Sequence, residues 1–297
     1  MFICHITHRL EDKKSLTGEI LYRVIQPLRA LTEKNHIYAI SGDIYSPEIY
    51  VWAEKADILI ISCVSFKDLL PIIMKRRLEG KKTFYEIADY FSSIDDISSE
   101  NKHIQCFINP TDDHKMNLIN LAQYSDGVFF SGRGLQRYFG HIHSHTRIIP
   151  NRFWTIPCLS IKDSKVIALG GSPSHIGDIL DLLPYLKKFL NRNKEYVFYL
   201  LGLYHIRHDI VSKIKGYENN FQVIPWMNYE NYMLLLKEKV GFALISLQDH
   251  AFNDCRSDIK FWEYTAMSIP VAQIKNRVYI AAMCEKKSFV IDKAEDT

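Results

Sequence analysis

Apolar residues come in short runs along the first half of the chain: "MFICHIT" at the start, "IYAIS" at 37–41, "DILIISCV" at 57–64 and "TFYEIAD" at 83–89. Between them, stretches 18–33, 48–55 and 65–78 repeat apolar positions at helical spacing. Strand-length runs alternating with helices predict parallel sheets covered by helices rather than an antiparallel sandwich.

"DGVFFS" (126–131), a helical stretch near 133–139 and "TRIIP" (146–150) close this half. "NRFWTIPCLSIKDSK" (151–165) breaks the rhythm with prolines and mixed polarity and reads as a linker. The grammar then restarts: "VIALGG" (166–171), a helix over 175–191, "YVFYLLG" (196–202), "FQVIP" (221–225), a helix over 229–239, "VGFALISL" (240–247), a helix opening in "RSDIKFWEYTAMSIPV" (256–271) and "PVAQI" (270–274). The pattern predicts two Rossmann-like, doubly wound α/β domains, 1–150 and 166–297, facing across a cleft where strand ends and helix N-termini collect.

Composition narrows the chemistry. With 297 residues, 47% hydrophobic and 24% charged, there is chain enough for two cores. A net charge of +3 falls far short of the dense positive charge that displaces counterions from nucleic acid, so a small anionic ligand fits better. Six scattered cysteines without a CxxC pair, no apolar run of bilayer length and no signal-peptide layout at "MFICHITHRL" predict a cytoplasmic protein. "MKRRLEGKK" (74–82) places five cations at a helix end, where they oppose its negative terminus and solvate the surface, with weak attraction to the inner face of an anionic membrane as a secondary expectation.

Candidate chemistry lies in the loops of the second half. Gly170 and Gly171 end the strand "VIALGG" and permit close backbone approach to a ligand, and Ser172 stands at the mouth of the next helix. The loop "QDHAFNDCRS" (248–257) leads to Ser257, read as the N-cap of the following helix. At 100° per residue Ile259, Trp262 and Ala266 share one face, with Glu263 at its edge and Lys260 in the first turn, where a cation is disfavoured unless an anion sits beside it. A plain i,i+3 surface pair between Lys260 and Glu263 is the competing reading. In "HIHSH", His141, His143 and His145 share a side if extended, but no carboxylate or cysteine lies nearby to complete a metal site. His5, His8, His175 and His250 lie at strand ends or in loops, and no triad spacing selects among them.

"EYTAMSIPV", together with Asn253, Arg256, Ser257, Lys260 and Glu263 in the segment before it, resembles the Asn-x-x-(Lys/Arg)-Ser-x-x-Lys-x-x-Glu and Pro-Val pattern of retaining glycosyltransferases of the GT-B fold, family 4. "YRVIQPLRAL", "FYEIADYF", "SDGVFFSGRGLQRYF" and "RIIPNRF" are similar to the amino-terminal domain of those enzymes. The resemblance implies a hexosyltransferase that moves a sugar from a nucleotide-diphosphate donor to a glycan or lipid-linked acceptor hydroxyl with retention, in surface polysaccharide or glycan assembly, without a bound metal or other cofactor. It implies an acceptor-side first domain and a donor-binding second one. Lys260, Arg256 and the amides near Ser257 would neutralise the departing diphosphate, Glu263 would hold the ribose, and Gly170, Gly171, Ser172 and Asn253 would complete the donor site. Three departures stand out: Cys255 where relatives keep a carboxylate, no Arg or Lys in "GGSPSH", and Ser268 for a glycine. The carboxyl-terminal end also reads as short. A catalytically silent GT-B binding subunit and a sugar-nucleotide epimerase are the alternative readings.

Overall fold

A computed structural model describes residues 1–8, 18, 20–34, 36–90, 111–151, 164–203, 210–274, 278 and 289–291. Most of the linker expected at 151–165 lies outside these residues, as do Cys106, Cys158 and Cys284. The chain divides into two compact units, the first holding the strands up to residue 154 and the second those beyond, with residues 255–257 grouped with the first.

The first unit carries a six-stranded sheet in the order β2-β1-β3-β4-β5-β6. Its strands are β1 (Phe2–Thr7), β2 (Tyr38–Asp43), β3 (Ile58–Ser62), β4 (Lys82–Ile87), β5 (Gly127–Phe130) and β6 (Thr146–Ile148). Every pairing is parallel, from Phe2 opposite Tyr38 to Phe130 opposite Ile148. A π-helical turn, Ile20–Ile25, runs into α1 (Gln26–Lys34); Pro27 has no N–H to give to the Arg23 carbonyl, which favours the wider turn. The remaining helices are α2 (Pro47–Lys55), α3 (Leu69–Leu78), α4 (Asp112–Tyr124) and α5 (Arg133–Phe139). Helix α4 was not foreseen, yet it starts in the ordinary way: the Thr111 hydroxyl accepts from the His114 N–H, and Asp112 and Asp113 occupy the positive first turn.

The 74–82 cations do not all face water. Arg76 is fully buried, donating to the carbonyls of Ala53, Ala56, Asp57 and Lys82 and to the Thr83 hydroxyl, so it ties the end of α2 to the start of β4. Its five-donor planar fork suits that task.

The second unit repeats the architecture with strand order β12-β11-β10-β7-β8-β9, again all parallel. These strands are β7 (Val166–Gly170), β8 (Val197–Leu201), β9 (Phe221–Ile224), β10 (Phe242–Ile245), β11 (Val271–Ile274) and β12 (Phe289–Ile291). The order corresponds to 6-5-4-1-2-3, the dinucleotide-fold pattern, whose switch point lies between β7 and β10. Helices α6 (Ile176–Leu190), α7 (Tyr229–Lys239), the short α8 (Ala251–Asp254) and α9 (Ile259–Ala266) complete it. One core packs α6 against one sheet face through Ile179, Leu183 and Leu186. The other joins Phe261, Tyr264 and Met267 to Ala243, Ile245 and Val271. Two doubly wound, parallel α/β domains are therefore present, as the apolar pattern predicts.

Candidate functional site

Ligands of open α/β sheets bind outside the carboxyl ends of the strands at the switch point, which in the second unit means the loops after β7 and β10. After β7 the chain turns through Gly170 and Gly171, and the Gly171 N–H donates to the Leu201 carbonyl at 3.1 Å. A Cβ on Gly170 would stand 2.7 Å from the Tyr264 hydroxyl, and one on Gly171 would stand 2.6 Å from the His175 ring. Both glycines thus let α9 and the α6 entrance close over the strand end. Ser172 shares a 2.7 Å hydrogen bond with Ser174, ahead of a 3-10 turn (Pro173–His175) that feeds α6.

The loop after β10 is clipped to the first turn of α6. Asp178, buried, accepts at Oδ1 from the Gln248 N–H at 2.8 Å and from the Asn253 amide at 2.9 Å, and its Oδ2 pairs with His175 Nδ1 at 2.8 Å. Asn253 is fully buried, and its amide also donates to the Gln248 carbonyl at 3.0 Å. This asparagine therefore shapes the loop from inside.

Asp258, not Ser257, stands at the N-cap position of α9, and its carboxylate accepts from the Trp262 indole at 2.9 Å instead of capping a backbone N–H. The buried face is Phe261, Glu263 and Tyr264, not Ile259, Trp262 and Ala266, because Phe261 and Tyr264 fit the core over β10 and β11. Lys260 Nζ lies 3.0 Å from Glu263 Oε2 and 3.3 Å from the Tyr232 hydroxyl, over the Tyr232 ring at 4.7 Å from its centre. Glu263 is 3% exposed and Lys260 27%, so this is a half-sealed pair rather than a solvated surface one. Lys260 also lines, with Gly170, His175, Asp178 and Ser246, a small cavity of about 20 Å³ at the switch point, the room of about one water.

Of the predicted donor residues, Gly170 and Lys260 meet at one spot, Glu263 supports Lys260, and Asn253 lies within the loop. Arg256 and Ser257 are grouped with the first unit. Sequence reasoning passed over Asp178 and Tyr232. The His175-x-x-Asp178 spacing in a helix's first turn was the legible signal for the former; the partnership of Tyr232, on α7, arises only in the folded chain. Among the described residues no group of three or more His, Cys, Asp or Glu could hold a metal. In the 141–145 stretch, the His145 N–H donates to His143 Nδ1 at 2.9 Å and His143 Nε2 donates to the Ser125 carbonyl at 3.2 Å, which commits both ring nitrogens.

A second polar cluster lies at the first sheet's own switch point, between β1 and β3. Arg23 pairs with Glu86 Oε1, the Ser62 hydroxyl donates to Glu86 Oε2, and His5 Nε2 lies 2.6 Å from the Ser62 oxygen. All four residues are buried. Burial pushes the His5 imidazole from 6.5 down to about 4, against the opposing pull of Glu86.

No family model matches the sequence, and no curated protein matches it. Solved structures do. TarM superposes with a TM-score of 0.56 at 11% identity, covering 83% of this chain and 49% of TarM, so the chain spans about half of TarM's length. WaaG, a glycosyltransferase involved in lipopolysaccharide biosynthesis, gives 0.56 at 10% identity over 98% of this chain and 86% of WaaG. An α,α-trehalose-phosphate synthase (UDP-forming) from Burkholderia vietnamiensis gives 0.55 at 8% over 98% and 87%. The fold is that of the GT-B glycosyltransferases. In GT-B terms the second sheet, with Lys260 at its switch point, is the carboxyl-terminal domain, and the His5 cluster belongs to the amino-terminal one. No helix among the described residues is long and apolar enough to cross a membrane.

Proposed function

We propose that the second domain binds a nucleotide-diphosphate sugar and that the protein transfers its hexose to an acceptor hydroxyl with retention of configuration, in glycan or surface-polysaccharide assembly. The observation that carries this reading is the placement of the Lys260 side chain, its Cδ beside Gly170, at the β7–β10 switch point, where a cation and an open backbone can meet a diphosphate. Charge that develops on a departing nucleoside diphosphate is stabilised by a cation already in place, so the reaction needs no metal under this reading. Arg256 and the amides around Ser257 would add to that stabilisation. Asn253 and Asp178 hold the loop, and Glu263 orients Lys260 or takes the ribose hydroxyls when Lys260 turns to phosphate. A point mutant of S. aureus TarM, solved in complex with fondaparinux, α-GlcNAc-glycerol and UDP, makes UDP the first donor nucleotide to test.

The test is a thermal-shift series with UDP, GDP and ADP and their sugars. A bound nucleoside diphosphate raises the melting temperature by linkage, and Lys260→Ala removes most of that rise. A melting temperature indifferent to all of them overturns the reading. A second reading, a silent GT-B binding subunit, is favoured by the commitment of Lys260 to Glu263 and Tyr232 and of Asn253 to Asp178. Sugar transfer or donor hydrolysis by purified protein eliminates it.

A further inference from the structure

Two segments that the transfer reading leaves unused, the cations of 74–82 and the histidines of 141–145, line one cavity in the first domain. Its volume is about 440 Å³, within the range of small-molecule sites. The walls come from Arg77 at the end of α3, Lys82 and Phe84 at the start of β4, Gln123 and Asp126 at the corner between α4 and β5, and the 143–145 segment just before β6. All of these lie toward the amino ends of β4, β5 and β6. That is the sheet edge opposite to the carboxyl ends, at which open α/β sheets take their substrates.

The walls are fixed from behind. Arg76 donates to the Lys82 carbonyl at 2.7 Å and to the Thr83 hydroxyl at 3.0 Å, which ties the end of α3 to the start of β4 and so sets Arg77 and Lys82 in place. On the far wall the His145 carbonyl accepts from the Val128 N–H at 2.9 Å, alongside the bonds that commit the His143 ring.

The charge inside is positive. Asp126, the one acid among the lining residues, accepts at Oδ2 from the Thr83 N–H at 2.8 Å and at Oδ1 from Lys82 Nζ at 3.0 Å. Against the upward push of burial, these donors and the Arg77 charge hold its carboxyl below the usual range. Arg77 is exposed, and its guanidinium enters no ion pair among the described residues. Gln123, Ser144 and His145 bring further side chains that can donate, and Phe84 adds an apolar wall. A carboxylate offers two coplanar oxygens, whereas a phosphate ester offers three in a tetrahedron and suits donors spread around a hollow.

We propose that this cavity is a second ligand site, for a small phosphorylated molecule, with Arg77 and Lys82 on the phosphate and the hollow beside Phe84, Gln123 and Ser144 on the remainder. The site stands whether or not the second domain binds a nucleotide sugar.

The probes are glycerol-3-phosphate and glucose-6-phosphate, with glycerol and glucose as their uncharged counterparts. Calorimetry should show saturable binding of a phosphate ester and none of its counterpart. Arg77→Glu should weaken that binding about tenfold or more. Lys188→Glu, the same charge change at an exposed position of the second domain, should leave it unchanged. In histidine-labelled protein the ring resonances of His143 and His145 should move along the same saturation curve, while that of His175, at the switch-point cavity, stays in place. Binding of neither ester, equal weakening by the two charge reversals, or movement of His175 in place of His143 and His145 overturns the proposal. Association with phosphatidylglycerol vesicles without binding of either soluble ester also overturns it, since the patch would then serve lipid headgroups. Lys260→Ala should leave ester binding intact, so a failed nucleotide thermal shift strikes the transfer reading alone.

Discussion

Lys260 Nζ lies 3.0 Å from Glu263 Oε2, and the same oxygen accepts the Tyr232 hydroxyl at 2.9 Å. Removing the lysine leaves a carboxylate that is 3% exposed with one neutral donor among these partners, whereas removing the charge from Glu263 leaves a lysine that still reaches water. Lys260→Ala should therefore lower unfolding stability by about 1–3 kcal/mol and Glu263→Gln by less. Urea unfolding measures both. If Lys260 serves a diphosphate, Glu263→Gln keeps more of the nucleotide-induced thermal shift than Lys260→Ala does.

Asn253 reads in sequence as a ligand contact and in structure as a strut. Its amide bridges Asp178 Oδ1 and the Gln248 carbonyl from a fully buried position. Asn253→Ala should cost about 1–3 kcal/mol in chemical unfolding. Asn253→Asp should cost more, since it sets a second carboxylate against Asp178 without the two donated bonds. Equal stability of the two variants would show that the loop does not depend on this amide.

Gly202 and Gly216 share a left-handed backbone, with φ of 79° and 84°, but differ in their surroundings. A Cβ on Gly216 meets open space, while one on Gly202 collides with the Gly171 carbonyl oxygen. Gly216→Ala should thus cost about 1 kcal/mol of conformational strain. Gly202→Ala should add a steric penalty, about 3 kcal/mol in total, and disturb the turn that carries Gly170. Thermal melts of the pair separate the two contributions.

What the sequence shows of this protein, and what it hides, follows from how each signal arises. Strands such as "DILIISCV" and "VGFALISL" are legible because a strand covered on both faces is apolar throughout. The phase of α9 is not, because eight residues with Trp262 and Ala266 on one side and Phe261 and Tyr264 on the other leave the buried face to be decided by tertiary fit. Arg76 misleads in the opposite way: three consecutive cations resemble a solvated helix end, and only the folded chain brings four backbone carbonyls around the middle one. Gly170 and Lys260, 90 positions apart, both read as ligand-site candidates on local grounds. That a Cβ on the first would stand 3.9 Å from the second's Cδ required the sheet.

His5 gives the acid response a specific shape. Its imidazole titrates near 6.5 when exposed and at about 4 in the fold, where burial disfavours the charged form. Between those values the unfolded chain binds a proton that the folded one refuses, so stability rises with pH across that window and falls as the solution is acidified. Above 6.5 the group contributes no slope, and below 4 both states are protonated and the loss is complete. A separation of about 2.5 units corresponds to about 3 kcal/mol. Urea unfolding of the wild type and His5→Gln from pH 7 to pH 4 should show the wild type losing about that much more than the variant, the difference growing mainly below pH 6.5. Parallel curves would mean that His5 takes up its proton in the fold as readily as in the open chain, and that burial does not hold it neutral.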